Sequence, residues 1–261
     1  MPRKILGVIP ARFGSSRFPG KVLAPISSKS MLQHVYERAS MARYLTSAIV
    51  ATDDQRVFDA ARAFGAPVRM TRPDHLSGTD RVAEVASAEN AAIIVNIQAD
   101  EPLIDPAAID AAILPVVHDA GIVMSTLKKR IEDPREIADP NVVKVVANHA
   151  GDAIYFSRSP IPYCRERASS IDPRGGSPND LHARHAACFK HIGLYVYQRD
   201  FLLNYSLLPV GPLEEAERLE QLRALENGYS IRVVETEYES FGVDTPEDLE
   251  RVSRLFEATV I

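Results

Sequence analysis

Residues 10–21 read Pro10-Ala-Arg-Phe-Gly-Ser-Ser-Arg-Phe-Pro-Gly-Lys21 and combine the two features a polyphosphate needs, small residues and positive charge. Gly14, Ser15 and Ser16 let backbone N–H groups approach an anion, and Arg12, Arg17 and Lys21 supply the cations. The loop is not a P-loop, because five residues separate Gly14 from Gly20 and Val22 follows Lys21. The G-x-G-x-x-G fingerprint of dinucleotide-binding dehydrogenases is missing as well. A solvated basic turn is the plain alternative, and three cations within ten residues after an apolar strand weigh against it.

Acidic and polar candidates lie further along. Asp100 and Glu101 follow the apolar run Ile93–Ile97, which puts them at the carboxyl end of a predicted strand, where open α/β sheets bind ligands. Taken alone, Glu101 reads as a solvated loop acid. Asp244 precedes Thr245-Pro-Glu-Asp248, a capping-box-like start of a helix; Thr245 can cap by itself, so Asp244 is left for another task. Arg158 ends the apolar strand Ala153–Phe156, and its charge there needs a partner, a ligand or solvent. His191, before another apolar strand, reads as structural rather than as a base. The remaining histidines, His34, His75, His118, His149, His182 and His185, show no metal-ligand spacing, and Cys164 and Cys188 read as reduced thiols that bind no metal.

Strands are predicted at Ile5–Ile9, Ala48–Thr52 and Ala92–Gln98. Helices are predicted over Met31–Ala42, from about Thr79 to Asn90 and from Pro106 to Asp119, with another ending at Gly65. This alternation specifies an α/β fold, a mainly parallel sheet with helices on both faces. From Ile122 onward the strands Ile122–Leu127, Val142–Ala147, Ala153–Phe156 and Ile192–Tyr197 follow with less helix between them, which predicts a smaller mixed or antiparallel subdomain. A helix is expected over Leu213–Glu226, a strand over Ile231–Glu235 and a mobile loop over Ser169–Leu181.

Composition narrows the partners. With 261 residues, 46% hydrophobic and 25% charged, the chain is an ordinary globular protein. A formal net charge of −5 disfavours a nucleic-acid-coating role, so any basic site is local. No window approaches the ~20 apolar residues of a membrane span, and the chain is expected to be cytoplasmic, neither inserted nor secreted.

The loop at Ala11–Lys21 resembles the signature of the sugar-acid cytidylyltransferases, specifically the 3-deoxy-manno-octulosonate (Kdo) cytidylyltransferases. The resemblance continues through Ala51-Thr-Asp53, Leu76-Ser-Gly-Thr-Asp-Arg81, Val95-Asn-Ile-Gln-Ala-Asp-Glu-Pro102, Tyr155-Phe-Ser-Arg158, His191-Ile-Gly-Leu-Tyr195, Leu219-Glu-Gln-Leu222 and Gly242-Val-Asp-Thr245, nearly the whole chain. One departure is Ala99, where the family has Gly; an added methyl matters there only if the backbone has positive φ or touches a ligand.

The resemblance implies a nucleotide-diphospho-sugar-transferase-like single domain, with residues 1–120 mainly binding CTP and 121–261 mainly binding sugar and dimerising. It implies transfer of CMP from CTP to Kdo, giving CMP-Kdo and pyrophosphate for lipopolysaccharide synthesis, with an 8-amino Kdo-type sugar or sialic acid as alternative substrates. A non-catalytic nucleotide-binding protein is a more distant alternative. By the same resemblance Arg12, Ser15, Arg17, Lys21, Ser77, Thr79 and Arg81 contact CTP, and Asp100 and Asp244 hold Mg²⁺, with Lys21 also catalytic. Gln98, Arg158, Arg165, His191, Tyr195, Glu220 and Gln221 line the sugar site. Taken singly, Ser77–Arg81 reads as a helix-capping turn, Tyr195 as core, and Glu220 as an exposed acid on the helix Leu213–Glu226.

Overall fold

In the computed structural model, residues 3–14, 17–163 and 188–259 are described. The expectations for Ser15, Cys164, Arg165, His182, His185 and the loop 169–181 therefore lie outside the described residues.

The sheet is built from β1 (Ile5–Pro10), β4 (Ser47–Thr52), β5 (Val68–Met70), β6 (Ile93–Asn96), β7 (Met124–Arg130), β10 (Phe189–Gln198) and β11 (Arg232–Glu235), in the order β11-β7-β10-β6-β1-β4-β5. Along that path β10 alone runs against the others: it is antiparallel to both β6 and β7, while the remaining pairings are parallel. The hairpin β8 (Lys144–Ala147) and β9 (Ala153–Ser157) joins antiparallel through β10, and β2 (Pro25–Ile26) with β3 (Lys29–Ser30) forms a small separate ribbon.

Both faces of the central strands are covered, which is why β1 and β6 are continuous apolar runs rather than alternating ones. Ile5, Ile9, Ile93 and Val95 pack with α1 (Met31–Ser40), α2 (Gln55–Ala63) and α4 (Pro106–His118) on one face. Leu6, Val8 and Ile94, one residue out of phase, pack on the other face with α3 (Gly78–Ser87) and with α6 (Arg199–Tyr205). Short polar side chains start these helices. Ser30, Asp54, Ser77 and Asp105 each accept a backbone N–H from the first turn of the helix that follows.

Two local expectations change. The single helix over Leu213–Glu226 is instead α7 (Pro212–Glu217) and α8 (Leu222–Glu226), broken at Arg218, which takes a left-handed φ of 53°. The break stops the helical ladder at Glu217 and turns residues 219–221 inward, so Leu219 and Gln221 are buried. Ala99 is accommodated without strain: among the described residues other than glycine, only Ser27 and Arg218 have positive φ.

Candidate active site

The phosphate-type loop leaves β1 at its carboxyl end and is closed by the Gly20 N–H donating to the Phe13 carbonyl at 2.8 Å. Gly20 sits at φ 73°, and a Cβ there would lie 2.8 Å from Phe13 Cζ. Phe13 in turn lies under the Arg56 guanidinium, 3.4 Å from the ring centroid. The closure turns the chain into the one-turn 3-10 segment Lys21–Leu23 and aims Lys21 back across the strand ends. Gly20→Ala is expected to lower the melting temperature by about 2–8 °C, from the ~1–2 kcal/mol cost of a left-handed L-residue, and to weaken CTP binding. Thermal melting and CTP titration check this, and unchanged CTP affinity would show that the loop closure does not shape the anion site.

Lys21 is the hub. Its Nζ donates to Asp100 Oδ2 at 2.7 Å, to Asp244 Oδ1 at 2.9 Å and to the Val243 carbonyl at 2.9 Å. Arg17 meets the other oxygen of Asp244 at 2.8 Å. Burial works against the charge on Lys21, but the two carboxylates outweigh it and hold its pKa above the ordinary value. Burial likewise pushes Asp244 up, and Lys21 and Arg17 overcome this and hold it below the ordinary carboxylate value. Asp244 is free for this because the capping box ahead of the last helix, α9 (Pro246–Thr259), is complete without it. The Asp248 N–H donates to Thr245 Oγ1 at 3.2 Å, and the Thr245 N–H donates to Asp248 Oδ2 at 3.1 Å.

Around this hub lies a cleft of about 310 Å³ lined by Arg12, Arg17, Lys21, Ser77, Arg81, Gln98, Asp100 and Asp244, together with Pro10, His75, Leu76 and Ala99. A larger groove of about 640 Å³, bordered by Arg3, Glu89, Asn90, Arg199 and Asp200, lies at the amino-terminal ends of β1 and β6, away from the carboxyl strand ends where open α/β sheets bind ligands. In the cleft Arg81 is 5% exposed and its guanidinium is fixed by Asp53 at 2.9 Å. His75 and Leu76 were not legible as site residues; Leu76 is 95% exposed beside Ser77, a position no local pattern explains.

Thr79 does not line the cleft. It is 3% exposed, and its hydroxyl donates to Glu220 Oε2 at 2.9 Å. Glu220 is therefore not the exposed helical acid of the sequence reading, because the break at Arg218 turns it inward. Burial raises its pKa, partly offset by the neighbouring Ser77 and Thr79 side chains. Glu220 Oε1 and Gln221 Nε2 are buried without a hydrogen-bond partner among the described residues. Such atoms cost free energy unless a ligand or water meets them.

Arg158 takes a position its sequence context left open. Its Nε donates to the Glu217 carbonyl at 2.8 Å and Nη1 to the Pro140 carbonyl at 2.9 Å, while Nη2 lies 3.5 Å from the Arg218 carbonyl. Glu217 returns the contact, accepting from the Ser157 hydroxyl at 2.5 Å and the Arg158 N–H at 2.9 Å. Lys144, fully buried, adds three bonds to carbonyls, at Asp139, Val142 and Arg158. Together these side chains strap the end of β9 to the turn that carries Glu220 and Gln221.

His191 and Tyr195 stand on β10, with ring centroids 5.3 Å apart. Between them β10 bulges against β7, and the Thr126 hydroxyl lies 3.1 Å from the Ile192 carbonyl, 2.8 Å from the Leu194 carbonyl and 3.0 Å from His191 Nε2. A hydroxyl has one proton, so donation to a carbonyl assigns the Nε2 hydrogen to His191 as donor and leaves Nδ1 an acceptor. Burial pushes His191 down from its ordinary 6.5 to about 3 and keeps it neutral. The sign follows: the unfolded chain takes up a proton below 6.5 that the folded chain refuses until about 3, so stability falls as pH drops through this window. His191→Gln is expected to flatten that slope in denaturant melts between these limits, and an unchanged slope would mean that the ring is solvated.

A family model described as Cytidylyltransferase matches residues 6–234. The 3-deoxy-manno-octulosonate cytidylyltransferase of Solibacter usitatus (strain Ellin6076) is 74% identical over 261 residues, covering 100% of this chain and 98% of that protein. The protein of the same name from Geobacter metallireducens (strain ATCC 53774 / DSM 7210 / GS-15) is 56% identical over 249 residues, 95% of this chain and 96% of that one. Among solved structures, CMP:2-keto-3-deoxy-manno-octonic acid synthetase complexed with CTP superimposes with a TM-score of 0.89 at 45% identity, covering 98% of this chain and 99% of the other.

Proposed function

The chain belongs to the cytidylyltransferase family, and within it to the 3-deoxy-manno-octulosonate cytidylyltransferases, and from that premise we propose that it activates Kdo. The anomeric C2 hydroxyl of Kdo attacks the α-phosphorus of CTP, the bond to the bridging oxygen of pyrophosphate breaks, and CMP-Kdo and pyrophosphate leave. The observation that carries this reading is the convergence of Lys21, Arg17, Asp100 and Asp244 in one cleft at the strand ends.

Little covalent chemistry falls to the protein in such a transfer; it must bring two anionic substrates together in line and neutralise charge. Arg12, Arg17 and Lys21 take the triphosphate, and Ser77 and Arg81 line the nucleotide end of the cleft. Thr79 acts at one remove, through Glu220. The buried, unmet atoms of Glu220 and Gln221 fit the hydroxyl row of a sugar acid, with Gln98, His191 and Tyr195 completing that pocket. Nη2 of Arg158 has the longest of the three carbonyl contacts and is the nitrogen able to turn to the sugar carboxylate. Ser15 and Arg165 are assigned to phosphate and sugar by the family pattern alone.

Asp100 and Asp244 fit a magnesium ion: both carboxylates face one cation position, since both reach the same ammonium. Among the described residues no group of three or more His, Cys, Asp or Glu could hold a metal. Magnesium is commonly held by one or two carboxylates plus substrate phosphates, and Asp100 and Asp244 would supply the two carboxylates. Magnesium, when bound, would neutralise charge on the phosphates.

We assign residues 1–120 mainly to CTP, and residues 121–261 mainly to the sugar and to a partner copy, with Asp244 crossing into the nucleotide cleft. The exposed Ile154 on β9 is part of the surface assigned to a homodimer, and the mass in solution by light scattering tests it. No described helix is long and apolar enough to cross a membrane, and we place the reaction in the cytoplasm, with its nucleotide substrate.

The deciding experiment mixes protein, Mg²⁺, CTP and, separately, Kdo, 8-amino Kdo and sialic acid, and reads pyrophosphate and CMP-sugar. Turnover is expected with Kdo and CTP and to be much weaker with ATP or GTP. Pyrophosphate release without any sugar, or equal turnover with every nucleotide, would overturn the assignment.

A further inference from the structure

Glu101 follows a proposed metal ligand in sequence, yet it points away from the cleft and is largely buried, contrary to the solvated loop acid its sequence context suggests. Oε2 accepts a hydrogen bond from Tyr238 Oη at 2.6 Å and Oε1 one from Ser240 Oγ. Tyr238 is itself 8% exposed. The Val243 N–H donates to the Asp100 carbonyl at 2.9 Å, so residues 238–243 are fastened to residues 100 and 101 at three points, directly ahead of Asp244. The outer side of the same segment is held independently, by Glu239 against Lys129 at 3.4 Å and against Lys190.

The geometry points to Glu101 as a positioning residue that acts through Tyr238 and Ser240. It holds the backbone leading to Asp244 against the strand end that carries Asp100, and so sets how the two carboxylates face one another. This rests on the reading of Asp100 and Asp244 as the ligands of a divalent cation. A buried carboxylate can accept both hydroxyl protons at once, whereas an amide offers one acceptor oxygen and a nitrogen that cannot accept. Glu101→Gln therefore forces one hydroxyl to turn its proton away and accept from the amide N–H, which replaces a bond to an anion by a weaker neutral one and loosens the inner fastening, while the Glu239 ion pairs keep the segment attached to the sheet. Partners that orient metal ligands in this way typically change metal affinity or activity by about 10- to 100-fold when altered.

The test is direct Mn²⁺ binding to the full chain with CTP present, read as free Mn²⁺ by paramagnetic resonance, beside the Mg²⁺ dependence of kcat and thermal melting. Glu101→Gln is expected to weaken Mn²⁺ binding about 10- to 100-fold and to shift the Mg²⁺ requirement equally, leaving the sugar KM in place. Tyr238→Phe, which removes one hydroxyl, shifts both in the same direction by less and serves if Glu101→Gln does not fold. A lowered melting temperature with unchanged Mn²⁺ affinity makes Glu101 merely structural and overturns the inference. If the wild-type protein forms no CMP-sugar at all, it is the underlying reading that fails.

Discussion

Asp100→Asn and Asp244→Asn are each expected to lower kcat for CMP-sugar formation by roughly 10²- to 10³-fold, the size of losing one preorganised electrostatic contact in a closed site. The amide preserves the shape of the side chain and an oxygen for Lys21, so the change is electrostatic. What it removes is the negative charge that attracts a divalent cation. Neither substitution should unfold the protein: the two side chains are 31% and 44% exposed, and solvent screens much of their pairing with Lys21. Far-UV circular dichroism should match the wild type. The two positions differ in one respect that kinetics can read. Asp244 also neutralises Arg17, so Asp244→Asn leaves an extra cation facing the triphosphate, and its KM for CTP should rise less than that of Asp100→Asn. Near-wild-type kcat in both variants at saturating Mg²⁺ would mean that the metal is held elsewhere.

Lys21→Met should abolish turnover to a similar extent while tightening Mn²⁺ binding in the absence of CTP. The ammonium occupies the meeting point of Asp100 and Asp244, and it neutralises the same oxygens a divalent cation would use. In the wild type a metal without nucleotide must therefore compete with a charge already in place. On the proposed reading, an entering triphosphate would give Lys21 a second set of anionic partners, so that the carboxylates could be shared. Methionine has a similar unbranched volume but no charge, which leaves both carboxylates fully available. An opposite charge within a few ångström shifts a carboxylate by about 1–3 pKa units, so removing it should strengthen nucleotide-free Mn²⁺ binding by about tenfold or more. Turnover falls because the phosphate loop loses the cation that reaches deepest into the cleft. Unchanged or weaker Mn²⁺ binding to Lys21→Met would show that the ammonium and the metal do not contend for these oxygens. The sign is opposite to that expected of Glu101→Gln, so one titration separates a competing cation from a positioning contact.

What the sequence determined by itself is whatever depends on neighbours within a few positions. Short caps and periodicity set the helix starts at Ser77, Asp105 and Thr245, because a side-chain oxygen and the N–H it satisfies are two or three residues apart. The double-faced apolar runs of β1 and β6 announced a covered parallel sheet, and the Arg/Gly/Ser loop announced a cluster of cations at the end of the first strand. Tertiary structure decided everything that joins distant segments. Lys21 and Asp244 are separated by 223 positions and meet because β1 and the last strand–helix connection end at the same edge of one sheet. β10 enters between β6 and β7 against the direction of its neighbours, and no local pattern records that choice, since a strand's apolar faces look the same in either direction. Glu220 looked like one acid among several on a helix; a single left-handed residue at Arg218 ended that helix and turned the side chain inward. Glu101 looked solvated because its hydroxyl partners lie 137 and 139 positions away. Burial and pairing are set by the segments that pack around a residue, so the buried surroundings of Glu101 and Glu220 became visible only when the whole sheet had brought those segments together.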